Sequence, residues 1–519
     1  LVILICGSTG FGTAYLLPKL DYLPDGNRNF ILGRIQPPPG FNLSTTYGIA
    51  ERIENSVKPL WSRISGEESE PGQPPKIANF FFLAFRNYTL IGASSVDVTR
   101  SDELVPVLRN SIFKEPGMRG IVAQSSIFGR HIGGSRVINL DISGENLDHI
   151  LEVARDADRL LSHAMPKSEG NQVRPRPGLE IDAPEVRVLP DLQRLASAGL
   201  TARELGQSID VLNEGARVLE LNVGSKRMNM TLKGPDKIVD STQGIENLPI
   251  VTGSGDIVPA SSLADIQVTV GPSEIRHLDR IRAVTLQIRP AKSIPLETAI
   301  STIQTEVFDM LRSEGLPDGI KLSMSGAADD LTKTWNALKL NLLVAIVIVY
   351  LVMAVLFESL LFPVIIMFSV PLATAGGVAG LALLNTYITQ PLDMMTMLGF
   401  VILIGIVVNN AILLVDQTLQ HLRQDNMEPK DAILAATRSR MRPIFMSTLT
   451  SIFGLLPLVV FPGAGSELYR GLGSVVVGGL SLSAILTLAI IPLLLTVLLR
   501  SPTGATEPAI HKHKQDAVG

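Results

Sequence analysis

The sequence predicts an α+β membrane protein: a bundle of transmembrane helices joined to smaller units of ferredoxin-like β-α-β build. Three observations carry this expectation. Apolar residues crowd into 336–499 in long runs, most of them uncharged, whereas 21–335 has the mixed composition of a water-exposed fold. Within 27–164, short runs suited to strands take turns with longer runs of helical apolar spacing. The mean hydropathy of +0.30 is high for a soluble protein.

The bounds are wide but useful. A chain of 519 residues has room for two to four domains. A net charge of −4 argues against nucleic acid as a partner, because phosphate binding wants a basic surface. The single cysteine, Cys6, excludes internal disulfides and cysteine zinc clusters. The chain starts on Leu1 with no basic segment ahead of its first apolar run, so it reads as truncated or processed, without a signal peptide.

Five stretches are long enough to cross about 30 Å of hydrocarbon, which takes roughly 20 apolar residues at 1.5 Å each. They are expected at about 336–357, 361–384, 394–416, 441–461 and 471–499. A buried soluble core is the competing explanation, but five such runs do not occur in soluble bundles of this size. Segment 417–442 carries Arg423, Lys430, Arg438, Arg440 and Arg442, and the tail 500–519 carries Arg500, Lys512 and Lys514. Basic loops stay on the cytoplasmic side. That places 385–393, 462–469 and 21–335 outside, and the polar tail is expected to be disordered in the cytoplasm.

The opening stretch, "LVILICGSTGFGTAYLL", imitates the strand–glycine turn–helix of a dinucleotide site. Its glycine spacing is G-x-x-G-x-G rather than G-x-G-x-x-G, and Pro18 stops the helix. Residues 1–20 are therefore read as the end of a transmembrane helix.

Between them, 27–126 gives β-α-β-β-α-β: strands at "RNFILGRIQ", "IANFFFLAF", "TLIGASSVD" and "RGIVAQSS", with helices capped at Ser44 and Ser101. A second unit opens with strand and helix at 135–164 and closes with "RAVTLQIRP", a helix over 295–311, and "GIKLSMSG". The interval 183–280 is an insertion with its own strands and a helix capped at Thr201. Met228 and Met230 alternate on one of its strands and are expected to pack there.

The membrane half carries a family likeness. "FESLLFPVIIMFSVPLATAGG", "GFVILIGIVVNNAILLVD", "RSRMRPIFMSTLTSIFGLLPLV" and "GAGSELYRGLGSVVVGGL" resemble the eighth-to-ninth, tenth, eleventh and twelfth helix regions of resistance–nodulation–division (RND) efflux transporters. "YLPDGNRNFILGRIQPPPGFN" resembles the passage from the seventh helix into the family's porter domain, so the likeness spans 1–499, its C-terminal half. The resemblance implies periplasmic porter subdomains at 21–134 and at 135–182 with 281–328, a docking subdomain at 183–280, and membrane helices over 329–499. It also implies a homotrimer in the bacterial inner membrane, in contact with membrane lipid. A periplasmic adaptor, an outer-membrane channel and small hydrophobic or amphiphilic substrates would be its partners. Lipid or polypeptide secretion, or heavy-metal export, is the alternative within that resemblance.

The family's proton relay maps onto Arg440, with Ser447 at its threonine position and Asn409 at its lysine position, beside Asn410. Asn409 departs from the family pattern, which leaves Arg440 as the cation that would tune a carboxylate in hydrocarbon. The competing reading of Asn409 and Asn410 is helix–helix hydrogen bonding, and that of Arg440 is a positive-inside anchor. The substrate cleft implied by the resemblance is bordered by Phe80, Phe82 and Phe85, although some of these rings must fill the core. Glu358 and Asp416 sit at helix ends and read as interfacial. No metal spacing, phosphate loop or G-x-S-x-G elbow is present, so no cofactor, metal or enzyme activity is expected.

Overall fold

The computed structural model describes residues 7, 10–13, 15–24, 26–38, 40–85, 88–128, 134–180, 183–234, 242–272, 274–461, 463 and 466–500. Cys6, most of the opening glycine stretch and the tail beyond Arg500 therefore lie outside the described residues. The described part of that stretch is helical at 10–13 and 15–16. The chain divides into two units, one made of 1–37, 43–176 and 277–519, the other of 38–42 and 177–276.

The first unit begins with β1 (Ile31–Gln36), α1 (Leu43–Val57), β2 (Ile77–Ala84), β3 (Thr89–Ser95), α2 (Leu104–Phe113) and β4 (Arg119–Gln124). The strands form an antiparallel sheet in the order β2-β3-β1-β4, the ferredoxin-like arrangement. Ile31 and Ile35 of β1 are buried with Gly33 between them on the same face. Against that face lie Ile49, Ile53 and Val57 of α1 and Leu104, Leu108 and Ile112 of α2, two stripes at helical spacing. Each such side chain contributes about 1.5–3 kcal/mol when fully buried.

Both expected caps move. The first helix begins at Leu43, so Ser44 lies inside its first turn. Ahead of α2 a 3₁₀ segment, Val98–Glu103, is capped by Asp97, which accepts from the Thr99 N–H. Ser101 is buried instead, donating to Asn27 Oδ1 at 2.9 Å and accepting from Gln124 Nε2 at 2.8 Å.

A second sheet follows, with β5 (Ile138–Gly144), α3 (Leu147–Ala164) and β6 (Gln172–Arg176). The Gln172 side chain binds the Val122 backbone as a strand would, accepting from its N–H at 2.7 Å and donating to its carbonyl at 2.9 Å. One buried amide thereby joins the two sheets.

The second unit contains β7 (Ala183–Pro190), α4 (Ala202–Asn213), β8 (Ala216–Val223), β9 (Lys226–Leu232) and β10 (Ala264–Gly271). β7 pairs with β10, and β8 with β9 in a hairpin. Thr201 caps α4 in a full capping box with Glu204. The hairpin is exposed along almost its whole length. Met228 and Met230 are 55% and 45% exposed, so neither packs as expected: among the described residues no third strand or helix of this unit covers the ribbon.

The chain then completes the second sheet with β11 (Ile281–Arg289), α5 (Leu296–Ile303) and β12 (Lys321–Gly326). Its order β6-β11-β5-β12 repeats that of the first. The second unit is thus inserted in the hairpin between β6 and β11.

The last part is helical: α6 (Ala327–Leu356), α7 (Leu361–Met367), α8 (Ser369–Asn385), α9 (Met394–Arg423), α10 (Pro429–Val460) and α11 (Arg470–Arg500). Counting α7 and α8 as one, five helices are long and apolar enough to cross a membrane. They extend past the apolar runs, because a helix does not stop where the hydrocarbon does. Arg438, Arg440 and Arg442 therefore stand on α10 rather than in a loop, and Pro443 and Pro457 lie inside that helix.

Helices α8 and α11 pack backbone to backbone. A Cβ added at Gly478 would lie 2.6 Å from the Gly376 carbonyl oxygen and 2.7 Å from Gly380 Cα. One added at Gly380 would lie 2.7 Å from the Ser474 carbonyl oxygen. Ser474 Oγ in turn donates to the Gly380 carbonyl at 2.9 Å.

The membrane helices and the second sheet meet at residues 19–22. Asp21 N–H donates to the Leu392 carbonyl, and Leu392 and Met394 N–H to the Lys19 and Tyr22 carbonyls, all at 3.0–3.1 Å. On the other side Leu20 N–H donates to Glu297 of α5 at 2.8 Å. Beside this seam Arg136 and Asp21 form a buried ion pair at 3.1 Å. Asp393, only 1% exposed, caps α9 by accepting from the Thr396 N–H at 2.7 Å, and accepts from Gln390 Nε2 at 2.9 Å. Burial, with the nearby Asp21 charge adding to it, pushes the Asp393 carboxyl up to about 6.

Two expectations follow from these contacts. Gly478→Ala forces two backbones apart and should destabilise the helical bundle by about 1–3 kcal/mol, lowering its thermal midpoint in detergent. Gly405→Ala should leave that midpoint near wild type, since nothing lies within 4 Å of a Cβ there. The Asp393 proton is bound more tightly in the folded chain than in the unfolded one. Its stabilising effect is complete below about pH 4 and is lost as the pH rises through about 6. The shift from 3.8 corresponds to about 3 kcal/mol. Asp393→Asn should flatten the stability profile between pH 4 and 7, read by thermal unfolding at stepped pH.

Candidate functional site

Helix α9 is amphipathic in a way that hydropathy does not report. One stripe buries Leu403, Val407, Asn410 and Leu414 against its neighbours. Another leaves Leu398, Ile402, Gly405 and Asn409 exposed. The two adjacent asparagines therefore part company: Asn410 is 6% exposed and Asn409 faces outward. On α10, Ser447 is also exposed, and its hydroxyl donates to the Ile444 carbonyl at 3.1 Å in its own helix. The buried hydroxyl here is that of the neighbouring Thr448, whose Oγ1 has no hydrogen-bond partner among the described residues.

Arg440 crosses from α10 to α9. Its Nη2 donates to Gln417 Oε1 at 2.6 Å, while its buried Nε has no acceptor among the described residues. A guanidinium carries five donors, so part of this one is unspent in a place where unpaired donors are costly. Among the described residues no hydrogen bond joins Arg440 to Asn409, Asn410 or Ser447. The structure brings Arg440 to a residue that sequence reasoning passed over, Gln417. Spacing contained the signal: Asn410, Gln417 and His421 fall at i, i+7 and i+11, one face of a helix.

From Gln417 the polar contacts continue. Its Nε2 lies 3.2 Å from His421 Nε2, and His421 Nδ1 lies 2.7 Å from an Asp425 carboxylate oxygen. Asn426, in the left-handed region at φ 48°, and Met427 N–H, donating to the His421 carbonyl at 3.2 Å, turn the chain away beyond α9. Asp416 accepts from Gln420 Nε2 at 3.0 Å, and Glu358, also at positive φ, stands exposed in the turn between α6 and α7.

The phenylalanines divide between two faces of the first sheet. Phe80 and Phe82 are half-buried against the α1–α2 core, with Phe80 6.1 Å from the Trp61 ring. Phe81 points the other way and stacks on Phe30 at 6.1 Å. Phe85, 45% exposed at the end of β2, stacks on Tyr88 at 4.7 Å, and the Arg34 guanidinium lies 4.1 Å from the Tyr88 ring centre. An open cavity of about 300 Å³ is lined by Trp61, Arg63, Ile77, Asn79 and Phe80.

Four likenesses bear on this arrangement. The sequence profile described as the AcrB/AcrD/AcrF family matches residues 1–499. The multidrug resistance protein MdtC of Enterobacter sp. (strain 638) is 34% identical over 248 residues, 48% of this chain and 23% of that protein. MdtC of Citrobacter koseri is 29% identical over 308 residues, 59% of this chain and 29% of that protein. A crystal structure of a heavy-metal efflux pump superposes with a TM-score of 0.76 at 23% identity, covering 96% of this chain and 50% of the pump, a likeness of fold. The matches thus span half or less of these relatives' lengths. A match over 499 of 519 positions, joined to two ferredoxin-like sheets and five membrane-length helices, decides the question: the chain belongs to the AcrB/AcrD/AcrF family of RND efflux transporters.

Proposed function

We propose that this chain supplies the C-terminal half of a proton-driven pump that exports hydrophobic or amphiphilic compounds, with Arg440 as the cation of its relay. The observation that carries the reading is the half-satisfied guanidinium. Arg440 spends one donor on Gln417 and keeps a buried Nε without an acceptor among the described residues. A carboxylate brought against it would be held ionised, and would take up a proton once withdrawn into hydrocarbon. Such a group titrates differently in two conformations, which is what a proton gradient needs in order to drive transport. The exposed faces of α9 and α10, with Asn409 and Ser447 on them, offer that carboxylate a helix surface to approach.

The extramembrane unit then belongs in the periplasm, the protein works as a homotrimer, and an adaptor and an outer-membrane channel complete the route out of the cell. The inserted 177–276 unit, with its exposed hairpin, would be the docking element. The multidrug name of the MdtC relatives favours organic over metal cargo.

In the full-length transporter, Arg440→Ala should abolish efflux while leaving membrane insertion intact, read as dye accumulation in cells against the level of membrane-extracted protein. Unchanged efflux would remove Arg440 from the relay. Asn409→Ala should weaken efflux without abolishing it. The rings separate by burial. Phe82→Ala should destabilise the first sheet by roughly 2 kcal/mol, about half the cost of a fully buried ring. Phe85→Ala should change which compounds are exported at constant protein level, since apolar contacts discriminate by about 1–3 kcal/mol. Loss of protein with Phe85→Ala would place that ring in the core.

A further inference from the structure

The contacts at the inner end of α9 contain a donor–acceptor constraint with only one solution. Arg440 has donors only, so the Gln417 atom it reaches at 2.6 Å must be the amide oxygen. The Gln417 Nε2 is therefore the atom 3.2 Å from His421 Nε2, and it can only donate. His421 Nε2 must then be bare and accepting, which leaves the ring proton on Nδ1, donated to Asp425 at 2.7 Å. This arrangement tolerates neutral His421 alone. A proton added at Nε2 would set two donors against each other. The amide would have to turn its oxygen to the ring, and Arg440 would lose its acceptor.

We propose that His421 is a positioning residue for Arg440, acting through Gln417: the neutral ring holds the guanidinium on α9, and the protonated ring releases it. The inference rests on the proposed relay role of Arg440. It adds a sensor of pH on the basic side of the bundle, where segment 417–442 lies. Histidine is the side chain whose ordinary charge change falls between pH 5 and 8. His421 is 20% exposed by its side chain, so water can deliver the proton.

The charged groups at this end are few. On α9 and its following turn they are Asp416, Arg423, Asp425 and Glu428. On α10, packed against α9, they are Lys430, Asp431, Arg438, Arg440 and Arg442. The turn between α6 and α7 adds Glu358, and α11 ends on Arg500. Of these, Asp425 and Arg440 are the two joined to His421 by the run of contacts: protonating the ring adds a charge beside Asp425 and turns the Gln417 oxygen away from Arg440.

Two measurements test this, one of them independent of transport. In ¹⁵N spectra of histidine-labelled chain in detergent, with His421 assigned by its loss in His421→Gln, the ring should carry its proton on Nδ1 at pH 8. In Asp425→Ala, where no carboxylate accepts from Nδ1, Gln417 alone should keep the proton there, and adding Gln417→Leu should remove that preference. A ring protonated on Nε2 at pH 8, or one that in Asp425→Ala is indifferent to Gln417→Leu, overturns the proposal whether or not the protein pumps protons. In the full-length transporter in vesicles, efflux should change as the pH on the cytoplasmic side falls from 8 to 6. His421→Gln keeps an acceptor but cannot titrate, so it should retain efflux at pH 8 and lose that pH response. In the Gln417→Leu background the substitution should have no further effect. A pH response that survives His421→Gln overturns the proposal. Absence of any proton-linked efflux, together with the Nδ1 tautomer, would instead sink the proposed function and leave the lock standing.

Discussion

The contact on which the membrane half depends is the backbone approach of α8 to α11. Hydrocarbon offers helices no hydrophobic reward for associating, since lipid tails are as apolar as leucine. What remains is close packing, and closeness is limited by Cβ atoms. Gly376, Gly380, Gly478 and Gly479 remove that limit over about one turn where the helices cross, and carbonyls of one helix come within van der Waals reach of the other's Cα atoms. Leu403 of α9 packs over the same place, where a Cβ at Gly479 would lie 2.3 Å from its Cδ2. The glycine seam thus fixes α9 as well, and with it the face on which Asn410, Gln417 and His421 stand. α6 and α10, by contrast, expose most of their apolar windows.

A second constraint joins bundle to sheet. Four consecutive residues, 19–22, spend their backbone groups on two partners, the 392–394 segment and α5. Charged groups line the seam, and while Asp21 pairs with Arg136, no ion pair reaches Asp393 among the described residues. A carboxylate held by neutral donors in so buried a place is a poor anion, which is why its proton affinity rises. The same seam that joins the parts therefore contains a carboxyl whose proton affinity is raised by burial. His421 stands near the other end of α9, the helix proposed to hold the relay.

Much of this was legible in the sequence. The five apolar runs were, because spanning hydrocarbon is a demand on composition and length that needs no partner. Both ferredoxin-like units were, because alternation at 31–36 and the i, i+4, i+8 stripes of α1 and α2 are local patterns. The Thr201 cap was, because a capping box closes within four residues. β6 was not: Pro175 argues against a strand, and this strand exists because it lies at the sheet edge, paired only to β11. The expected Ser101 cap failed for the opposite reason, since a distant Asn27 and Gln124 claimed its hydroxyl.

The site divides in the same way. Composition and motif marked Arg440, Asn409, Asn410 and Ser447, and chain order placed them on two helices. Only the tertiary structure decided that Asn410 faces in and Asn409 out, that Ser447 is exposed beside a buried Thr448, and that Arg440 reaches Gln417. Those outcomes depend on helix rotation. Rotation in a membrane is set by packing against neighbours rather than by hydropathy, because a helix that is apolar all round has no side it must hide. The sequence by itself determined that these helices span and where the chain turns; the fit of glycine backbones between α8 and α11 decided which way their few polar residues point.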